Sequence, residues 1–318
     1  MSANLVGVRL WLTRYIMSIF VAFGLLGNTI NICVFIRQGF RRNSCSLYLL
    51  AASTFNIFII IWGNFQPLYT LNNTDISTYS YIYCKLRLYT IHTLLMIGRS
   101  LIVFACIDLY ARCSHSIRLR SYCEPKIAYR VIIGNILIWP LLTIHIPLLQ
   151  QFGTNRCYTT EPYSLIYGIY STFAAGIVPP TLMTIFSLLM VRNRRMHRTR
   201  LASTNNNNKR DQTLMLMLSS EVLVYVISTS LYPGVTLYRA VTASYTKSTQ
   251  SQQIEAFVSF LGGSFFIYLN SASVFYVFFI ASKNFRKECY KMFSHLSRCI
   301  TGNRSQIQPK STVHFDTN

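Results

Sequence analysis

Seven stretches of about twenty or more mostly apolar residues follow one another almost from end to end of this chain, and crossing a bilayer core by helix takes about 20 such residues. They run roughly from Tyr15 to Ile36, Ser46 to Phe65, Leu86 to Ala111, Ile127 to Leu149, Tyr163 to Val191, Thr213 to Leu237 and Ala256 to Ile280. With 52% hydrophobic and 12% charged residues and a positive mean hydropathy, the 318 residues are too apolar for a soluble domain of this length. The fold class this predicts is an all-α membrane protein, a bundle of seven transmembrane helices whose short connections leave no room for a separate soluble domain. Spans of this length exclude a transmembrane β-barrel, whose strands need only about 10 residues of alternating polarity. The expected divisions are a short N-terminal segment, residues 1–14, a seven-helix domain, 15–281, and a tail, 282–318.

A formal charge of +21 raises nucleic acid as a partner, but the distribution argues against it. The loops after spans one, three and five, with the tail, hold 22 of the 30 Lys and Arg. The alternate set holds 7, namely Arg9, Arg14, Lys85, Arg87, Arg156, Arg239 and Lys247, and only Arg99 lies deep inside a span, Arg87 and Arg130 standing in the first turn of theirs. The positive-inside rule then places the N-terminus outside and the tail in the cytosol. Basic cytosolic loops face anionic lipid head groups and acidic partner proteins.

Once the sides are assigned, the nine cysteines become informative. Cys33 and Cys106 fall in spans, and Cys45, Cys113, Cys123, Cys289 and Cys299 on the reducing side. Only Cys84 and Cys157 face outward. Two lone cysteines in an oxidising compartment most simply form one disulfide, the alternative being two free thiols. No cleavable signal precedes span one, which is expected to act as its own uncleaved signal. Asn72, Asn73, Thr74 form an N-glycosylation sequon on the side counted as external.

Several polar and ring residues mark the spans. Span one carries Gly27, Asn28 and Asn31, and span two carries Ser53 and Asn56; amides at membrane depth usually bridge to neighbouring helices. Span four has Trp139, Pro140, His145 and Pro147, span five Pro179 and Pro180, and span six Glu221 and Pro233. Prolines kink membrane helices and leave carbonyls for neighbours to satisfy. After span seven, Phe285, Cys289, Met292, Phe293 and Leu296 fall at helical spacing on one face, and Lys283, Arg286, Lys287 and Lys291 on the other. This predicts an amphipathic eighth helix along the inner membrane surface. Cys299, with Cys289, is a palmitoylation candidate, an unmodified thiol being the alternative.

Together these features resemble rhodopsin-like G-protein-coupled receptors over nearly the whole chain. Gly27 and Asn28 look like that family's span-one pair, Cys84 and Cys157 like its outer disulfide, and Trp139, Pro179 or Pro180, and Pro233 like its span-four, span-five and span-six markers. Asp108, Leu109, Tyr110 stand where the family has Asp-Arg-Tyr, the segment that contacts the G protein. Leu109 there cannot make charge-assisted hydrogen bonds. Leu231 replaces the span-six tryptophan, Asn56 the span-two aspartate, and Val274 to Phe278 the span-seven Asn-Pro-x-x-Tyr.

The resemblance implies a plasma-membrane receptor that binds an extracellular ligand and transmits it to a heterotrimeric G protein, with no cofactor and no enzymatic activity. The LNSASVFY and ACIDLYARCS segments are similar to invertebrate neuropeptide receptors of the FMRFamide-like group, which implies a short amidated peptide. Ile91 stands where amine receptors carry an aspartate, and span seven has no lysine for retinal. The alternatives are a receptor-like protein that couples poorly because of Leu109, and a transporter.

A pocket between the outer halves of the spans is expected to use His92, Tyr89, Tyr167, Tyr170, Tyr232, Phe266 and Glu255. Asp75, Glu161 and Glu255 are the acids that could meet a basic peptide. At the bundle centre, Arg99 costs several kcal/mol unless paired or hydrated. Asp108 lies about 13 Å away along the helix axis, and Glu221 is counted nearer the inner surface. Asn28, Asn56, Asn270 and Ser271 are the polar groups expected around Arg99. The family often holds a sodium ion in this region, so Arg99 is read either as replacing that ion or as an anchor bonded to backbone carbonyls.

Overall fold

The computed structural model describes residues 2–114, 116–154, 156–198, 206–242 and 245–300. Seven helices long and apolar enough to cross a membrane follow in order: α1 Leu5–Phe35, α2 Ser44–Tyr69, α3 Tyr81–Arg112, α4 Pro125–Leu149, α5 Pro162–Arg194, α6 Arg210–Val241 and α7 Thr249–Ala281. An eighth helix, α8 Lys283–Ile300, follows one residue later. Between α4 and α5 lies an antiparallel hairpin, β1 Gln150–Gly153 and β2 Arg156–Thr159, with Phe152 opposite Cys157.

Three helices start ahead of their apolar stretches, at polar residues that cap them. The Asn43 side chain accepts from the Cys45 amide at the start of α2, Ser80 from Tyr83 at the start of α3, and Ser248 from Ser251 at the start of α7. The segment expected as an N-terminal extension is helical from Ser2 onward. Its apolar residues Val6, Val8 and Leu10 continue the span, and Arg9 stacks over the Phe260 ring at 5.5 Å.

Prolines accompany the irregularities of α4, α5 and α6. α4 breaks at Thr143, four residues before Pro147, and α6 at Ser230, three before Pro233. Each proline removes the amide that would have closed the turn. In α5 a π-helical segment, Thr172–Ile177, leads into Pro179 and Pro180.

α3 is the axis of the bundle: 61% of its apolar window is buried, against 17% for α4. It packs on α2, α4 and α5, while α7 packs on α1 and α6, and α4 stays outside on α2 and α3. The outer surface is apolar, with Phe58, Ile133, Leu137, Leu141, Leu188 and Ile227 exposed, whereas Asn28, Asn31, Ser53, Asn64, Arg99 and Glu221 are buried. Such an inverted distribution suits lipid as the surrounding solvent.

Gly27 lets α1 and α7 touch, since a Cβ there would lie 2.8 Å from Cβ of Phe275. The obstacle is at the root of the Phe275 side chain, so backbone must move. Gly27→Ala is expected to cost about 1–3 kcal/mol and Gly27→Val more, read as a lower melting temperature in detergent.

α8 splits its apolar face. Phe285 and Cys289 are fully buried, and the Phe285 ring lies 6.1, 6.2 and 6.0 Å from Phe35, Phe275 and Phe278. Phe293, expected on the same face, is exposed, while its neighbour Met292 continues the buried line of Phe285 and Cys289 against the core. The Leu296 and Cys299 side chains lie outside the described residues. Arg286 donates to the Phe279 and Ile280 carbonyls at 2.8 and 2.9 Å, satisfying the last turn of α7.

Burial, with Glu288 beside it, pushes the Cys289 thiol up to about 11, so roughly one thiol in ten thousand is ionised at pH 7. Cys289 is therefore expected to resist maleimide in the folded protein and to react after denaturation, which mass spectrometry would show. Labelling of the native protein at this position would contradict its placement.

Candidate functional site

The disulfide Cys84–Cys157 ties the hairpin across the start of α3, with Cα atoms 5.7 Å apart. Lys85 Nζ donates to the Gln150 carbonyl, and the Phe152 ring meets Tyr81 edge-on at 5.9 Å. Beside the hairpin the bundle opens into a vestibule of about 1370 Å³, bounded by α1, α3, α5, α6 and α7 and by the loop after α2.

Of the seven residues expected to bind ligand, Tyr167, Tyr232 and Glu255 line this vestibule. The other four do not line it. His92 is buried, with Nδ1 3.2 Å from the Tyr167 hydroxyl and Nε2 3.3 Å from that of Tyr170. Both ring nitrogens are thereby engaged, and α3 is pinned to α5 in either tautomer. Tyr89 donates to the Pro140 carbonyl at 3.3 Å, and Phe266 packs edge-on against Phe265. Trp139 donates to Ser100 at 2.9 Å, holding α4 to α3.

The vestibule also contains charged residues that were not anticipated there: Arg9, Arg87, Arg239 and Lys247. Glu255 pairs with Lys247 and, at 3.4 Å, with Arg239. Asp75 accepts from Gln66 at 2.7 Å and from the Ser77 amide at 2.9 Å, capping a short 3₁₀ turn. Both acids are therefore committed to the wall. The Glu161 side chain lies outside the described residues.

At the bundle centre, Arg99 Nη1 donates to the Ala175 carbonyl at 3.1 Å. That carbonyl would be met by the amide of residue 179 in an α-helical register and of residue 180 in a π register, and both are prolines. Arg99 supplies the donor that α5 cannot. Its guanidinium also lies over Tyr225 and Tyr232, 5.9 and 5.8 Å from the ring centres.

Next to it is a cavity of about 30 Å³, lined by Arg99, Asn56, Asn270, Ser271 and Glu221 among others. Such a space holds one or two waters. Asn28 stands apart from this group, donating to the Gly24 and Ser271 carbonyls at 2.8 and 3.0 Å. Glu221, counted nearer the inner surface, shares the cavity with Arg99, and its Oε2 has no hydrogen-bond partner. Among the described residues no ion pair joins the two. With a guanidinium fixed beside this cavity, melting temperatures in equal concentrations of sodium chloride and choline chloride are expected to coincide. A sodium-specific rise would show that the cavity takes the ion after all.

At the opposite end, Asp108 Oδ2 accepts from Ser44 Oγ at 2.8 Å and lies 3.7 Å from Arg112 Nη2. Arg112 also donates to Ser44 and to the Cys123 carbonyl, stapling α3 to α2 and to the following loop. Leu109 is fully buried in the core, and the Tyr110 ring packs on Phe186 at 5.6 Å. The three adjacent side chains thus point at three different neighbours.

Asn72 is exposed in the turn after α2, with Arg14 3.5 Å from its Oδ1. No cluster of metal-ligating side chains occurs among the described residues. Comparison with models of known protein families and with curated proteins finds no match to this chain.

Proposed function

We propose that this chain is a cell-surface receptor of the rhodopsin-like, G-protein-coupled kind, which takes an extracellular ligand of short-peptide size into the vestibule and signals to a heterotrimeric G protein at the far end. The observation that carries this reading is a shared side chain. Tyr232 lines the vestibule and also lies against the Arg99 guanidinium, which in turn holds α5 at Ala175. A ligand that displaces Tyr232 acts on the contact between α3 and α5 at the bundle centre. The vestibule, at about 1370 Å³, exceeds the 300–1,000 Å³ usual for small-molecule pockets, which favours a peptide. On this reading the disulfide end is extracellular, the charge bias puts the basic loops in the cytosol, and the membrane is the plasma membrane.

A second reading, a receptor-like protein that binds but couples weakly, is favoured by one observation. Leu109 is buried, and the charge of Asp108 is already met by Arg112. Cells expressing the wild type and Leu109→Arg, exposed to a panel of short peptides, separate the readings when binding and G-protein dissociation are measured together. Ligand-dependent dissociation in the wild type is the expected result. Binding without dissociation, restored in Leu109→Arg, would establish the weakly coupled reading, and solute uptake without either response would replace both with a transporter.

A further inference from the structure

The charges of the vestibule do not balance. Four cations line it, Arg9, Arg87, Arg239 and Lys247, against two described acids, Asp75 and Glu255. Glu255 is held by Arg239 and Lys247, and Asp75 is fixed by Gln66 and the Ser77 amide. Arg9 and Arg87 are left over. Arg9 lies over the Phe260 ring, and neither arginine has a carboxylate partner among the described residues. Both are exposed to the vestibule. A cleft lined by one sign of charge concentrates ligands of the other sign. A guanidinium presents a planar fork of donors that matches a carboxylate with two parallel bonds.

We propose that the ligand enters this vestibule with an anionic group leading, a peptide carboxylate, which Arg9 and Arg87 receive. This rests on the ligand-binding reading of the vestibule and narrows it. An amidated, basic peptide brings no anion for the two arginines, and to find a counter-ion it must displace Lys247 or Arg239 from Glu255. A carboxylate meets two free donors and displaces nothing.

The test measures the field and the ligand class in the full-length protein. Ser264 lines the vestibule and is partly buried. The Ser264→Cys variant is labelled with a sulfonate-bearing and a quaternary-ammonium-bearing methanethiosulfonate, the unsubstituted protein serving as background. Relative to a free cysteine, the anionic reagent is expected to be favoured about tenfold or more. In Arg9→Gln with Arg87→Gln this preference is expected to vanish, with surface biotinylation confirming that the variant reaches the membrane; if it does not, Arg87→Gln alone should reduce the preference.

A pool of short peptides with free C-terminal carboxylates and acidic side chains should slow labelling of Ser264→Cys, and an amidated basic pool of equal length should not. Equal rates for the two reagents, protection by the amidated pool alone, or no protection by the carboxylate pool would overturn the proposal. A missing G-protein response would leave the labelling rates unchanged, so the signalling function and the ligand class fail separately.

Discussion

Serine in place of Cys84 or Cys157 is expected, on the cell-surface reading proposed above, to strip most of the protein from the surface and to lower the melting temperature of what remains, whereas Cys33→Ser changes neither. A two-stranded hairpin is marginal in water by itself. This one, four residues a strand, is held by the disulfide, the Lys85–Gln150 bond and the Phe152–Tyr81 contact. Loss of a native disulfide typically costs about 2–5 kcal/mol. Because Thr159 of β2 lines the vestibule, release of the hairpin also opens one wall. Surface biotinylation and thermal unfolding in detergent measure both effects; a Cys84→Ser protein that melts with the wild type would show that the bridge holds nothing.

Arg99→Glu is expected to abolish accumulation of the folded protein in the membrane. The substitution puts an acceptor where the Ala175 carbonyl needs a donor, and a second carboxyl on the cavity of about 30 Å³ that Glu221 already lines. An uncompensated buried charge costs about 3–5 kcal/mol, a large share of the stability of a protein. Arg99→Met removes the charge without reversing it and leaves only the carbonyl unpaired, at about 1–3 kcal/mol. Pro179→Ala with Pro180→Ala returns two amides to α5. If the missing amides are why Arg99 is needed, Arg99→Met should cost measurably less in that background, a coupling of about 1–3 kcal/mol in a double-mutant cycle. Additive losses would separate the arginine from the prolines.

The seven spans could be found from the sequence because hydropathy over some twenty residues is a strong signal, and so could the Cys84–Cys157 pair, because charge bias sorted the cysteines by side. The helix ends were harder to see. The apolar stretches begin at Ser46, Leu86 and Ala256, whereas the helices start earlier, at the caps Asn43, Ser80 and Ser248. Pro179 and Pro180 were visible, but their consequence depends on which carbonyl each register strands, and on α3 bringing residue 99 opposite residue 175. Glu255 was visible as an acid and read as available; its partners, Lys247 across a loop and Arg239 on another helix, appear only in three dimensions. Glu221 was assigned a depth by counting along one helix, which ignores the break in α6 at Ser230 and the reach of an arginine side chain. Arg9 is legible in the sequence only as a charge ahead of span one; that its turn of helix forms a wall depends on α1 packing against α7.

Arg9 and Thr13 put the first turns of α1 at the vestibule mouth, and α8 lies at the other end of the bundle. Whatever is joined ahead of Ser2, whether an affinity tag, a fluorescent protein or a binding partner, hangs over the entrance and competes with anything trying to enter. The same fusion placed after Ile300 leaves the vestibule clear, so the choice of terminus decides whether a label obstructs it.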